Sequence, residues 1–429
     1  TGNHLGPPSP RARLLPPAPE PPVVPAPDNP VAVPPAREVL SYSDFDHLGA
    51  FRLPEHACGW TTAYSSSGIA IRRVGSELRF FSAVHVYSGS LVYEVAFPGV
   101  GTDPSTWPTA TVAAEPCDFY AGRKHLGDAP EPFDGSTWTH GLFFDDQSQR
   151  LYWSFGDVYN ADTSNDHFLG ATVFSDTSPT RSLGPWVTSD PENAHAQRVR
   201  GGVLRIPQWF ADTYTGGRTL GIGFGGYYSI IGPGSMGPTL FATTEPGDAE
   251  VVELVPLLAH PVPVAQSDQW ALRPTNYSIA ANLDWGRGPD SRGYWAPGDS
   301  IEGGAVWIDE PSRHGVLYFA ELNTGRIAYE FGGLQADDHR PYWYIYDPQD
   351  LADVALGNRQ PWQVDPTEIS AVDYPATGEG QDASTGAVRR VAGAAYDRVS
   401  HTLYVEVLNG FQGDGEQFPV IHAYRLKNP

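Results

Sequence analysis

The chain has 429 residues, with 46 Gly, 41 Pro and aromatics at 12%. Such a composition favours many short strands joined by tight turns over long helices. The 27 basic residues stand against 50 acidic ones, for a formal charge of −23, which excludes duplex nucleic acid and anionic lipid surfaces as natural partners.

TGNHLGPPSP opens the chain without a signal-peptide pattern and reads as the start of a processed form. Residues 7–35, PPSPRARLLPPAPEPPVVPAPDNPVAVPP, favour an extended polyproline conformation and cannot build a core. The sequence therefore predicts a proline-rich extended arm over 1–40 and one globular domain over 41–429. No apolar run reaches the ~18 residues that a membrane-spanning helix needs. Cys58 and Cys117 are the only cysteines, and in a turn-rich chain the pair predicts one disulfide and an oxidising compartment.

Beyond the arm the chain repeats. Gly68 to Leu78, Gly141 to Leu151 and Gly393 to Leu403 share one spacing and bracket two strands across a short turn. Gly304 to Leu317 and Gly202 to Leu220 are the same unit with longer turns. A third strand follows each copy, near 91–98, 169–176, 238–246, 342–348 and 420–426. Fourth strands are expected at 109–115, 184–190, 250–258 and 360–365. The last copy ends the chain without one, and residues 48–53 are expected to supply it. Five four-stranded units closed by a strand from the other end make an all-β, five-bladed β-propeller, in which closure hides the sheet edges.

The spacing from Asp145 to Leu151–Tyr152 and from Asp397 to Leu403–Tyr404 resembles the repeat turn of many propeller families. The stretches LGAFRLP, SGIAIRR, RLYWSFGDVYN, GPWV and GFGGYYS are similar to those of secreted bacterial propeller proteins of unassigned function, best over residues 45–245. That resemblance implies a fold and an extracytoplasmic location, in the periplasm, at the cell surface or secreted, and no activity.

In a propeller, the loops entering the inner strands and those joining second to third strands share one face. The long connections 118–138, 158–167, 259–302, 323–340 and 409–418 all fall there, and loops that exceed their connecting task carry function more often than short turns do. Ser66, Thr139, Arg200, Glu302 and Val391 align at the starts of inner strands, with His140 beside Thr139. His85, Asp157, Tyr227, Tyr228, Asn323 and Asn409 end second strands around the same mouth. If the mouth is catalytic, Glu302 and Asp157 would be paired carboxylates for glycoside hydrolysis. His140 as base with Arg200 against a uronate would instead suit polysaccharide elimination. Trp138, Trp285, Trp295 and Trp343 lie on or beside the long loops and could stack on sugars or on a protein partner. Asp157, Asn160, Asp162 and Asp166 form a weak calcium candidate without an EF-hand pattern. No cofactor motif is present; GFGG at 223–226 lacks the helix that a phosphate loop requires.

Two readings follow. The first is a non-catalytic extracytoplasmic subunit or binding platform, docked on other proteins of an envelope complex through its arm and loop-rich face. The alternative is a secreted glycan-active enzyme, hydrolase or lyase, with its site at the channel mouth.

Overall fold

The computed structural model describes residues 37–65, 68–86, 91–118, 120, 137–157, 167–175, 178–189, 199, 201–223, 238–247, 251–259, 304–330, 333–377, 391–413 and 415–429. The proline-rich stretch 7–35 lies outside them.

Within the described residues the chain forms a five-bladed β-propeller. Blade one comprises Ala70–Val74, Glu77–Ala83, Val92–Ala96 and Thr111–Cys117. Blade two comprises Thr137–Asp145, Arg150–Asp157, Leu169–Ser175 and Ser178–Thr188. Blade three comprises Val203–Arg205, Leu220–Gly223, Leu240–Thr243 and Val255–Leu258. Blade four comprises Ala305–Asp309, Arg313–Glu330, Gly333–Tyr346 and Glu368–Ala371. Blade five takes Val391–Asp397, Thr402–Gln412 and Gln417–Leu426, and its outer strand is Phe45–Arg52. The closing strand pairs antiparallel, with Ala50 opposite His422 and Phe51 opposite Ile421. The inner strands touch in a closed cycle, each meeting the next and the fifth returning to the first.

Inner strands lie between two neighbours, so both of their faces are apolar. In Ala305–Asp309, Ala305 and Trp307 enter the core shared with blade three, while Val306 and Ile308 enter the core shared with blade five. That alternation is the two-residue period of a strand buried on both sides. At the axis the strands approach so closely that only glycine fits. A Cβ on Gly141 would meet the Cα of Gly202, and one on Gly393 would meet the Cα of Gly68.

The repeat's aspartates hold the opposite end of the inner strand. The Asp145 carboxylate accepts the Ser148 backbone N–H at 3.1 Å and its hydroxyl; Asp397 accepts the same pair from Ser400, also at 3.1 Å for the N–H. An arginine on the next inner strand then pairs with each acid, Arg205 with Asp145 and Arg73 with Asp397. Burial pushes both carboxyls up, but the serine and arginine donors outweigh it and leave them below the usual carboxylate range.

Three elements depart from the sequence expectation. Residues 360–365 hold no strand: Pro361–Gln363 is a 3-10 turn, and the outer strand of blade four is Glu368–Ala371. Proline has no N–H to give a ladder and starts a helical turn readily. The segment 250–258 is split. Val255–Leu258 is the outer strand of blade three, whereas Val251–Val252 runs parallel to Val187–Thr188 and covers the edge of blade two. The connection at 323–340 is mostly a continuation of two strands, paired from Asn323 opposite His339 out to Glu330 opposite Gly333. Glu38–Val39 adds a short parallel pairing beside Arg313–His314 of blade four.

Candidate functional site

The starts of the inner strands surround the axis. Gly68, His140, Gly141, Gly202, Gly304 and Gly393 are among the residues lining a cavity of about 20 Å3 there. That is room for about one water molecule. His140 is buried, as is its neighbour Thr139, whose hydroxyl lies 2.7 Å from the Tyr120 phenol oxygen. Burial raises the Tyr120 pKa, so the phenol is a neutral hydrogen-bonding group at ordinary pH.

The other mouth candidates are distributed as follows. Arg200, Tyr227, Tyr228, Trp285, Trp295 and Glu302 lie outside the described residues, as do Asn160, Asp162 and Asp166. Asp157 and Trp138 are placed by backbone at the top of blade two, where Asp157 pairs with Thr137 and Trp138 with Gly156. Trp343 corrects the stacking expectation. Its ring is fully buried between blades four and five, its indole N–H donates to the Tyr374 oxygen at 2.6 Å, and Tyr42, Phe45, Phe319 and Tyr424 meet it edge-on. It sits on a third strand facing a neighbouring blade, and a ring enclosed in that way offers no face to a ligand. Among the described residues no group of three or more His, Cys, Asp or Glu is placed to hold a metal ion.

His85 belongs to a second locality on the loop-rich face, where the chain passes from the closing strand into blade one. Residues His56–Ala57 and Trp60–Thr61 form a small hairpin. Its turn residues Cys58 and Gly59 have φ of 50° and 75°, the left-handed pair of a tight hairpin turn. Cys58 is bonded to Cys117 at the end of the outer strand of blade one, with Cα atoms 5.7 Å apart, as the cysteine pair predicted. The Cys58 N–H also donates to a Glu115 carboxylate oxygen at 3.0 Å. The Thr61 carbonyl accepts the His85 N–H at 2.9 Å, and the Tyr64 carbonyl accepts the Val86 N–H at 3.3 Å. The Tyr64 and His85 rings meet edge to face, with centroids 5.4 Å apart. Burial lowers the His85 pKa against the pull of Glu416, which leaves the imidazole neutral at neutral pH.

Sequence reasoning passed over Trp60, Tyr64, Glu55 and Glu416 here. The available signal was the position of Trp60 two residues beyond a bridged cysteine, on a loop that enters an inner strand.

No family model matches the chain, and no curated protein matches it. Among solved structures it is similar to a GH43 endo-arabinanase from Bacillus licheniformis, at 10% identity over 85% of this chain and 95% of that one, with a TM-score of 0.34. It is similar to a DUF4221 family member from Bacteroides vulgatus, at 11% identity over 90% of this chain and 99% of that one, with a TM-score of 0.33. A GH43 β-1,3-galactosidase solved with galactodeoxynojirimycin shares 9% identity over 88% of this chain and 93% of that one, with a TM-score of 0.30. At such scores the likeness carries no inference about activity.

Proposed function

We propose that this chain is an extracytoplasmic propeller that works as a rigid binding platform for other protein subunits of an envelope assembly, with its recognition surface on the face of long connections. The observation that carries the reading is the closed axis. At two of the five junctions the inner strands meet glycine on glycine, beside a cavity of about 20 Å3, so the ring suits stiffness and display better than passage or enclosure of a ligand along its channel. The Cys58–Cys117 bridge fits an oxidising compartment.

Mild cross-linking in the native source, followed by purification and mass measurement, tests the platform. The chain is expected in a stoichiometric complex with other envelope proteins. A screen on soluble plant and algal polysaccharides tests the opposing reading. Release of reducing ends or unsaturated uronates by the wild type, abolished in Glu302→Gln or His140→Ala, would replace the platform with a glycan-active enzyme.

A further inference from the structure

Trp60 and Tyr64 are 46% and 53% exposed, and among the residues whose side chains are described they are the exposed large aromatics. Each lies on backbone that is fixed in place. Trp60 follows the left-handed turn at Cys58 and Gly59 and is two residues from the disulfide. Tyr64 itself has φ of 55°, a conformation that a bulky residue rarely adopts, and its carbonyl is tied to Val86. Two exposed aromatic residues on backbone restrained in this way have less freedom to lose on binding than the same residues on a loose loop.

Three acidic residues are bonded to the same short segment of chain. Glu416 accepts the Thr61 hydroxyl at 2.9 Å, and Glu115 accepts the Cys58 N–H. The Glu55 carbonyl accepts the Thr62 N–H, and its carboxylate lies against Gly413, at the same turn as Glu416. Elsewhere four of the described carboxylates in the blade seams are matched by arginine: Glu94 by Arg72, Asp145 by Arg205, Asp309 by Arg37 and Asp397 by Arg73. Glu55, Glu115 and Glu416 have no arginine or lysine partner among the described residues. His85, whose ring meets Tyr64, is neutral at neutral pH and does not offset them.

We propose that the surface around Trp60 and Tyr64 docks a cationic segment of a protein partner, whose arginine or lysine groups stack on the two rings and pair with Glu55, Glu115 and Glu416. It rests on the platform reading and names the chemistry of the partner. Aromatic faces attract cations, guanidinium groups above all, and flanking carboxylates add charge-assisted hydrogen bonds. A chain of formal charge −23 steers such a segment inward and repels an acidic one.

The test uses the full chain and a fluorescein-labelled (Arg-Gly)4 peptide, with (Glu-Gly)4 and neutral arabinan and β-glucan oligosaccharides alongside, at physiological salt. The arginine peptide is expected to bind and the other probes are not. Trp60→Ala and Tyr64→Ala are each expected to weaken binding about five-fold, and Glu416→Gln about three-fold. Glu253→Gln, which removes an exposed carboxylate on blade three, is expected to change nothing. Equal binding by wild type, Trp60→Ala and Tyr64→Ala would overturn the proposal, because the overall negative field alone would then hold the peptide. Trp60-dependent binding of a neutral oligosaccharide without peptide binding would also overturn it, in favour of sugar stacking. Failure of the platform reading shows differently: no envelope partner co-purifies with the wild type. A partner retained by the Trp60→Ala/Tyr64→Ala double variant would refute this surface and leave the platform standing.

Discussion

The seam between blades two and three and the seam between blades five and one share a plan, yet they differ at the middle. Each has a glycine contact at the axis, Gly141 against Gly202 and Gly393 against Gly68. Each has an aspartate pinned by an arginine from the next inner strand. Opposite the axial glycine, blade two pairs Gly141 with Ser154, whereas blade five pairs Gly393 with Glu406. The first seam is filled by Tyr152, Leu169, Leu220, Ile222 and Phe241. In the second, Glu406 is fully buried; one carboxyl oxygen accepts the Ser82 hydroxyl at 3.0 Å and the other meets no donor. Burial pushes its carboxyl up to about 7. The two ends of the inner strand are thus set by the repeat, while the middle of a seam is free to vary, and the seam where the ring closes holds an acid that folds best when neutral.

The largest expected effect separates the two seams. Replacing Cys58 and Cys117 with serine opens a loop of 59 residues that borders the closing seam. The loss is roughly 4 kcal/mol on the chain-entropy account. Denaturant unfolding under non-reducing conditions reads it directly. A loss below about 1 kcal/mol would show that packing in blade one already restrains that loop.

Next come the ion pairs, where the seams should agree. Asp145→Ala and Asp397→Ala each take the closest carboxylate from a half-buried arginine and uncap a turn, for about 2 kcal/mol apiece, with Arg205 keeping Glu245 at 3.4 Å. Both carboxyls have a lowered pKa when folded. Their contribution is therefore present above the unfolded carboxylate pKa and is lost as pH falls through the folded value. Melting curves from neutral to acidic pH should show each variant converging on wild type at the acid end. A large cost at one site and none at the other would break the equivalence of the two seams.

The last effect sharpens the difference. Glu406 titrates at about 7 when folded against an ordinary 4.5, so the folded state favours the protonated form. Stability from this group is full below the ordinary value, declines as pH rises through it, and levels off above about 7. Glu406→Gln should match wild type near pH 4 and exceed it near pH 8 by on the order of 2–3 kcal/mol. A variant less stable than wild type at pH 8 would mean that the ionised carboxylate is held by something other than Ser82.

The propeller was legible because its repeat shows in residues that have few substitutes. A glycine at the axis, an aspartate capping the turn and a leucine at the start of the second strand recur wherever backbone approach and turn geometry demand them. The closing strand was legible by subtraction, since the last copy lacked a partner. Outer strands were harder. They pack one face only, so 360–365 and 368–371 look alike until Pro361 is recognised as a turn former. Trp343 was misjudged because a tryptophan beside a long connection looks exposed, and only the pairing of Tyr342–Ile345 with Ala371–Glu368 shows that it sits deep in a sheet. Trp60 and Tyr64 stayed hidden for the converse reason. Exposure arises from how a hairpin is bonded across the fold to Cys117 and to residues 85–86, and no local spacing encodes that.

The strand Phe45–Arg52 hydrogen-bonds to Gln417–Leu426, and His47 meets His422 across 375 residues of chain. Synthesis delivers one partner long before the other, an interval of tens of seconds at ordinary elongation rates. Throughout it the early strand is held on one side by its bridges to Gly101 and Thr109 and has a free edge on the other, while blades one to four can form from neighbours in sequence. The ring therefore shuts last and in one step, by the longest-range strand pairing among the described residues, which makes closure the slow and aggregation-exposed event of its biogenesis. A chain that loses its last blade would keep most of its local structure and leave one edge of this first strand open, a target for quality control before it becomes a propeller.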